Sequence, residues 1–447
     1  RSTAEARRLG RRRHNPRRDG TFSILLVVAA MCRAKRGTDA SCRGEGTGVV
    51  DQDAVGRSDP LVTDLRHFHP KSSEFDALPC GEFAIVRKIA SGIHGDVFRY
   101  RWTWQGNDGA HVAVKKLRLE AVRSTSGGER DERKAHMNSR YGSNLCFEDA
   151  LTEIGVLQHL SAQADLPLFL LRMHGIFQDD RHAWLVTEFA DGGELFETLS
   201  QQGALSQKQA KRYSWETLQA ISYLHRHRIG HRDISLENVL IKEGSVRLMD
   251  FGMAVRSHDI GGSPLRYFHP AGKDFYRAPE CYVPRVDFVD VVVPVGAALG
   301  TVVSATVHGT YLCDVLLPAD VRPNARVRAQ VYGYEACPVD IFAAGVCLFM
   351  MLVGNPPWSK ANLSDDLFAW VLERDVVALS VEWGVPAPSA ELAAVLRGMT
   401  STDPVQRWSA DACLSSPWFD ELAGMEVPVH RADVGLTPRV LRTLAGA

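Results

Sequence analysis

No C-x-x-C pair occurs anywhere in the 447 residues, and no cluster of cysteine and histidine stands at metal-ligand spacing. The nine cysteines are scattered. An odd, dispersed set is the usage of reduced thiols inside a cell and excludes a disulfide framework. An excess of either charge is missing as well: 52 Lys and Arg stand against 53 Asp and Glu, with a net charge of -1 and a pI near 7.0. Nothing in that balance argues for a nucleic acid or a membrane as partner, and neither is expected. An apolar run near the start long enough to span a bilayer is lacking too. Eight arginines fall in the first twenty residues, ahead of the apolar stretch Phe22 to Cys32. That order is the layout of a secretory signal. The stretch is too short to span a bilayer, which takes about 20 residues, and the chain beyond it is intracellular in type. A polar N-terminal tail and a cytoplasmic protein are the expectation.

What is present falls into blocks. Residues 1–80 are rich in Arg, Gly, Ser and Asp with little periodicity, and are expected to lack a fixed fold. From Phe83, "FAIVRKIA" and "GDVFRYRWTWQ" alternate as two strands around a glycine-bearing turn, and "HVAVKKLRL" makes a third. Residues 120–146 are polar and densely charged, and read as a long loop. Phe147 to Leu160 has helical spacing, with Ile154, Leu157 and Leu160 on one face. "GIFQDD" and "AWLVTEFA" are a further strand pair. Beyond Gly192 the pattern turns helical, at 193–201, 206–228, 338–353, 364–374, 389–399 and 409–414. The fold class expected is α+β with two unlike lobes: a small β-rich lobe at 81–190 and a mainly helical lobe at 191–421, then a tail at 422–447.

One segment, 284–336, interrupts the helical lobe. Asp290 to Gly309 reads "DVVVPVGAALGTVVSATVHG" and Asp314 to Gly333 reads "DVLLPADVRPNARVRAQVYG". The two align without gaps at an offset of 24 residues, pairing Asp290 with Asp314, Pro294 with Pro318 and Gly309 with Gly333. A valine-rich run, a turn and then strict alternation in each copy predict a repeated β-hairpin and a small four-stranded insert. Pro294, Gly296 and Gly300 together with the period of two exclude a membrane span there.

The chemistry is carried by short motifs between these elements. In "IASGIHGDVF", Gly92 and Gly95 let backbone amides close over phosphates, where a side chain would block the approach. "VAVK" ends on Lys115, a strand cation able to reach phosphate oxygens when an acid holds it, and Glu153 on the next helix is the candidate acid. "HRDISLEN" supplies Asp233, placed to accept the proton of an attacking hydroxyl. With "LMDFG" it also supplies Asn238 and Asp250, hard oxygen ligands for Mg2+. Ala278 opens "APE" 26 residues after Gly252.

In this order the motifs resemble the eukaryotic protein kinase family, of serine/threonine type, from roughly Phe83 to Phe419. The resemblance implies a bilobal kinase fold, ATP and Mg2+ as cofactors, and protein substrates. It implies that Ile89, Gly92, Gly95, Val97, Ala113, Lys115, Thr187, Glu188, Ala190, Glu194, Asn238, Leu240 and Asp250 surround the nucleotide. Within that set Thr187 takes the gatekeeper position, Glu188 to Ala190 the hinge, and Val97, Ala113 and Leu240 the two faces of the adenine site. Leu157, Met173, His231 and Phe251 match the apolar spine joining the lobes. Asp340 matches the anchor of the catalytic loop, and Glu280 with Arg407 the ion pair bracing the activation segment.

Two departures bear on activity. Ala90 stands where the first glycine is usual, and Ser235 where this family carries a lysine near the γ-phosphate. Lys273, in "GKDFYRAPE", occupies a place usually held by threonine and is expected to restore the missing charge, which adds it to Asp233, Lys115 and Glu153 as a catalytic candidate. Arg232 next to Asp233 implies an activating kinase acting on the 253–277 loop, with Ser257, Ser263 and Tyr267 as its hydroxyls. Glu194 and Glu237 match acidic positions that favour basic residues upstream of the phosphorylated one. The alternatives are a scaffold without catalysis, drawing on Ala90, Ser235 and the insert, and a tyrosine kinase, whose usual catalytic-loop arginine is missing.

Overall fold

Alternating apolar and polar residues put strands first in the described part of the chain, as a computed structural model shows. It describes residues 67–70, 75–79, 82–92, 94–103, 109–124, 148–267, 270–282 and 333–430, with four strands between 288 and 331. The polar tail and signal-like stretch of residues 1–66 lie outside the described residues, as does most of the loop expected at 120–146. Six strands form one sheet: β1 (Asp76–Ala77), β2 (Phe83–Ser91), β3 (Gly95–Trp102), β4 (Ala110–Arg118), β5 (Met173–Gln178) and β6 (His182–Glu188), in the order β1-β5-β6-β4-β3-β2. Two helices accompany them, α1 (Leu119–Ser124) and α2 (Ala150–Ser161).

The period of two divides β4 cleanly. Val112 and Val114 are buried with Tyr100, Trp102 and Trp184 in an aromatic core on one face. Ala113 and Lys115 therefore lie on the other. Helix α2 starts three residues later than its periodicity suggests, because Asp149 caps it, accepting from the Thr152 amide at 3.1 Å and its hydroxyl at 2.7 Å.

The second lobe holds α3 (Leu195–Gln202) and α4 (Gln207–Arg226), the latter opened by a Ser206/Gln209 capping box. Short strands β7 (Ile229–Gly230), β8 (Val239–Lys242), β9 (Ser245–Leu248) and β10 (Val255–Arg256) come next, pairing β8 with β9 and β7 with β10. Then come β11 (Arg266–Tyr267), the four strands β12 (Phe288–Val292), β13 (Val302–Val307), β14 (Tyr311–Leu316) and β15 (Arg326–Val331), and β16 (Tyr334–Glu335). Helices α5 (Ala336–Val353), α6 (Asp366–Arg374), α7 (Val376–Glu382), α8 (Ala390–Met399) and α9 (Ala410–Leu414) complete it. Helix α5 is long and apolar enough to cross a membrane, but 78% of it is buried against its neighbours, as befits a core helix. Among the described helices of this lobe the sequence reading missed α7. A single residue, Asp375 at φ 106°, separates it from α6 and caps it through the Ala378 amide.

Four strands lie in the repeat segment and form one sheet, but not as two hairpins. Strands β13 and β15 sit 24 residues apart, as the alignment requires, yet the longest pairings run between copies. Five residue pairs join β12 to β15 and six join β13 to β14, while β14 and β15 of one copy share two. The sheet order β12-β15-β14-β13 interlocks the two copies. Register is set by the partner that buries a strand's alternating face, and sequence proximity does not decide it.

The block boundaries also shift. β1 pairs in parallel with β5 before residue 81, and Phe68 lies against α2, so the ordered lobe begins earlier than expected. At the other end, Leu168 donates to the Pro428 carbonyl and His430 to that of Leu166, each at 2.8 Å. Residues up to 430 thus belong to the fold, where a tail from 422 was expected.

Candidate active site

The strand register brings the first set of expected residues together. Ala113 pairs with Thr187, and Val97 with Lys115, so all four gather on one patch of sheet. From there Lys115 Nζ donates to Glu153 Oε2 at 2.6 Å, joining β4 to the first turn of α2. Burial alone would push the ammonium down, but the Glu153 and Asp250 carboxylates outweigh it and hold the lysine above its ordinary range. Burial of Glu153 works toward the neutral acid; at this separation the ionised pair prevails. Ile89 and Gly92 sit at the exposed end of β2, and Gly95 opens β3. Ala190 and Thr187 are buried, and Glu194 bridges to Leu240 across the chain leaving the hinge.

The Glu188 side chain is engaged within the protein. Its carboxylate is taken by the Arg172 amide at 3.0 Å, Lys242 at 2.7 Å and Arg247 at 3.4 Å.

The catalytic loop is fixed from below. Asp340, fully buried in α5, accepts from the backbone amides of His231 at 2.8 Å and Arg232 at 2.7 Å, as expected of an anchor. His231 packs on Phe251 with ring centroids 5.1 Å apart, and Leu157 is buried. Asn238 Nδ2 donates to the Asp233 carbonyl at 2.8 Å and to its Oδ2 at 2.7 Å, which orients the amide oxygen away from that carboxylate. Asp233 Oδ1 is buried with no hydrogen-bond partner. Burial pushes the Asp233 carboxyl up, aided by Asp250 and opposed by Lys273. A buried acceptor left unsatisfied is costly in a resting protein, and it is the atom a substrate hydroxyl would meet.

Asp250 adopts φ 66°, an uncommon backbone for a residue other than glycine and one that clusters at functional sites. Carboxylate oxygens of Asp250, Asp233 and Glu148 lie within 4.8 Å of one another. With the Asn238 amide oxygen, this set of hard oxygens fits Mg2+. Sequence reasoning missed Glu148. Burial and then the Asp250 and Asp233 charges push its carboxyl up to about 7. It also missed His94, whose Nε2 lies 3.0 Å from the Glu148 carbonyl and fastens the glycine-bearing turn to the start of α2. Their signal was position only: a side chain inside the glycine motif, and an acid next to a helix cap.

Lys273 reaches the catalytic loop. Its Nζ donates to Ser235 Oγ at 2.7 Å and lies 3.5 Å from Asn238 Oδ1 and 3.9 Å from Asp233 Oδ2. The regulatory expectation fares differently. Arg232 is buried, donates to the Met253 carbonyl at 2.8 Å and the Tyr334 hydroxyl at 3.1 Å, and stacks over the Tyr267 ring at 5.3 Å. Ser257 and Tyr267 are themselves buried. Strand β11 pairs with β16, so the chain leaving the β repeat holds this segment down.

The sequence matches the protein kinase domain family over residues 83–287, a span that stops where β12 begins. It is 26% identical over 354 residues to Calcium-dependent protein kinase 12 of Oryza sativa subsp. japonica, covering 78% of this chain and 51% of that one. CBL-interacting protein kinase 1 of the same organism is 24% identical over 363 residues, 81% of this chain and 61% of its own length. Calcium/calmodulin-dependent protein kinase type II of Caenorhabditis elegans is 27% identical over 269 residues, 59% and 30% respectively. The chain spans less than two thirds of the length of each of these relatives. A β-rich lobe and a helical lobe carry the motifs in kinase order, and it is residues 83–287 that match the protein kinase domain family.

Proposed function

We propose that this chain is an ATP-dependent protein kinase that phosphorylates serine and threonine hydroxyls of protein substrates. The observation that carries the reading is Asp233: a buried carboxylate, oriented by Asn238, with one oxygen unpartnered beside Asp250 and Glu148. In the step it supports, the substrate hydroxyl gives its proton to Asp233 Oδ1 as its oxygen bonds to the γ-phosphorus. The bond from that phosphorus to the bridging oxygen breaks, and ADP leaves with the electron pair. Lys115, steadied by Glu153, neutralises phosphate charge, and the glycine-bearing turn covers it. Asn238, Asp250 and Glu148 would hold Mg2+, which supplies charge neutralisation of the phosphates. No covalent enzyme intermediate is needed, since positioning and charge do the work.

The substrate preference proposed is for basic residues near the acceptor. Glu194 is pushed up by burial and by the neighbouring Glu197 and Glu237 carboxylates, so three acids crowd the site's edge. An activating kinase, if one acts, finds Ser263 as the partly exposed hydroxyl of its segment, and Arg232 already occupied. An intracellular setting agrees with the free thiols of Cys281, Cys337, Cys347 and Cys413.

The test is transfer of labelled phosphate from ATP to a serine/threonine peptide library, comparing the intact protein with Asp233→Asn. A loss of about 10²–10⁴-fold is expected, the usual worth of a general base. Undiminished transfer by the variant, or none by the parent, removes the proposal and leaves the scaffold reading.

A further inference from the structure

We propose that Lys273 is the cation that stabilises the phosphoryl group in flight, delivered by the activation segment because the catalytic loop has only Ser235 to offer. The inference rests on the kinase reading of this site and adds a residue to it. Phosphoryl transfer spreads negative charge over the equatorial oxygens, and a cation close to the base is worth most there. Lys115 is committed to Glu153 at 2.6 Å. Lys273 is the cation that pairs with Asp233 among the described residues, at 3.9 Å.

Its surroundings look built for that purpose. The Ser235 hydroxyl holds the ammonium at 2.7 Å, the Asn238 amide oxygen lies further off at 3.5 Å, and the two nearest carboxylates, Asp233 and Glu237, stay at 3.9 and 4.0 Å, beyond hydrogen-bond contact. Its charge is thus positioned without being cancelled at short range. The side chain is 39% exposed, so it is open to a ligand and contributes little to the core. The backbone carrying it is clamped. Gly272 adopts φ 80°, and a Cβ there would meet the Arg232 carbonyl at 2.8 Å, so glycine alone lets this segment lie against the catalytic loop. Arg277, itself buried, grips both preceding carbonyls, Ala271 at 3.0 Å and Gly272 at 2.5 Å. This placement also couples catalysis to control. With the cation on the activation segment, any opening of that segment withdraws charge stabilisation at the same moment.

The experiment compares four full-length proteins, wild type, Lys273→Met, Ser235→Lys with Lys273→Thr, and Asp233→Asn, by peptide-phosphorylation kinetics, ATP and ADP affinity by calorimetry, and thermal unfolding. Lys273→Met is expected to lose about 10²–10³-fold in kcat, as when one preorganised stabiliser is removed. Its preference for ATP over ADP should also fall, with the unfolding midpoint unchanged. The double variant should return to within about tenfold of wild type, since Ser235 Oγ already lies 2.7 Å from the Lys273 ammonium. Lys273→Met retaining a third of wild-type kcat, while Asp233→Asn is dead, overturns the inference and spares the kinase reading. A loss that Ser235→Lys does not recover overturns it too, reducing Lys273 to a brace of its segment. Undiminished activity in Asp233→Asn sinks the kinase reading, and this inference goes with it.

Discussion

Glu280–Arg407 in the helical lobe and Lys115–Glu153 in the cleft both join distant segments by a buried ion pair, and they differ in every detail of construction. The first is bidentate, at 2.5 and 3.0 Å, with the arginine side chain fully sealed and two further donors on the Pro338 and Ser401 carbonyls. The second is a single 2.6 Å contact whose partners keep 17% and 10% of their side-chain surface. Chemistry sharpens the contrast. A guanidinium cannot shed its proton inside a protein, whereas a carboxyl or an ammonium can be discharged when its partner leaves. The brace is made from a group that cannot be neutralised. The catalytic pair is made from two that can.

Removing one partner from each pair should expose that difference. Glu280→Ala strands a charged arginine and is expected to cost about 3–5 kcal/mol in chemical denaturation. A loss below about 1 kcal/mol would mean the guanidinium finds water or another acceptor, and the contrast collapses.

Lys115→Met should do the reverse, lowering kcat/KM by about 10²–10³-fold with a smaller effect on stability, because Glu153 can take up a proton. Burial already pushes that carboxyl up, and Lys115 is the chief opposing influence. Without the lysine, the folded state binds the proton more tightly than the unfolded one. The stability deficit of the variant should therefore be small at pH 5 and grow as pH rises above the unfolded value near 4.5. Urea unfolding of variant and parent at several pH values measures it. A deficit that shrinks with rising pH contradicts the assignment of the proton to Glu153.

Much of this contrast was legible before any coordinates. Lys115, Glu153, Asp233, Asn238 and Asp250 are fixed by backbone spacing within short motifs, and short motifs survive translation into structure. The Ser235 and Lys273 relation was legible for the same reason, as one charge lost and one gained in segments known to meet. The missed features are all matters of long-range partnership. Nothing in Phe288 to Val331 says that β12 prefers β15 over its own copy's second strand. Neither does His430 announce the Leu166 and Leu170 carbonyls that hold it, 264 and 260 residues away. Arg232 had the sequence of a phosphate receptor, and its actual partners, Met253, Tyr267 and Tyr334, include a residue on the far side of the repeat.

Phe68 and His69 are the least legible case, and they bear on the weaker pair. They come from a stretch expected to have no fold, yet His69 Nε2 contacts the Asp149 cap of α2, His67 Nε2 lies 3.3 Å from the Tyr267 hydroxyl, and Arg256 stacks over the Phe68 ring at 5.6 Å. A strap thus runs from the helix that presents Glu153 to the activation segment. It fits because α2 has no side chain at Gly155, where a Cβ would stand 1.6 Å from the Phe68 carbonyl oxygen. Gly155→Ala opposes two effects. Helix propensity alone favours alanine by about 0.8–1 kcal/mol, so a purely local view expects a more stable protein with the same activity. Displacing the strap instead frees α2 to swing, and the expected result is roughly a fivefold fall in kcat/KM, the size of a population shift of ~1 kcal/mol. Hydrogen exchange should rise at 67–70 and at the first turn of α2, and Phe68→Ala should lower activity in the same direction. Full activity in Gly155→Ala, with exchange at 67–70 unchanged, would show that the strap does not steady the Lys115–Glu153 pair. The 2.6 Å contact would then depend on the sheet, the Asp149 cap and the Asp149–Gly252 backbone bond alone.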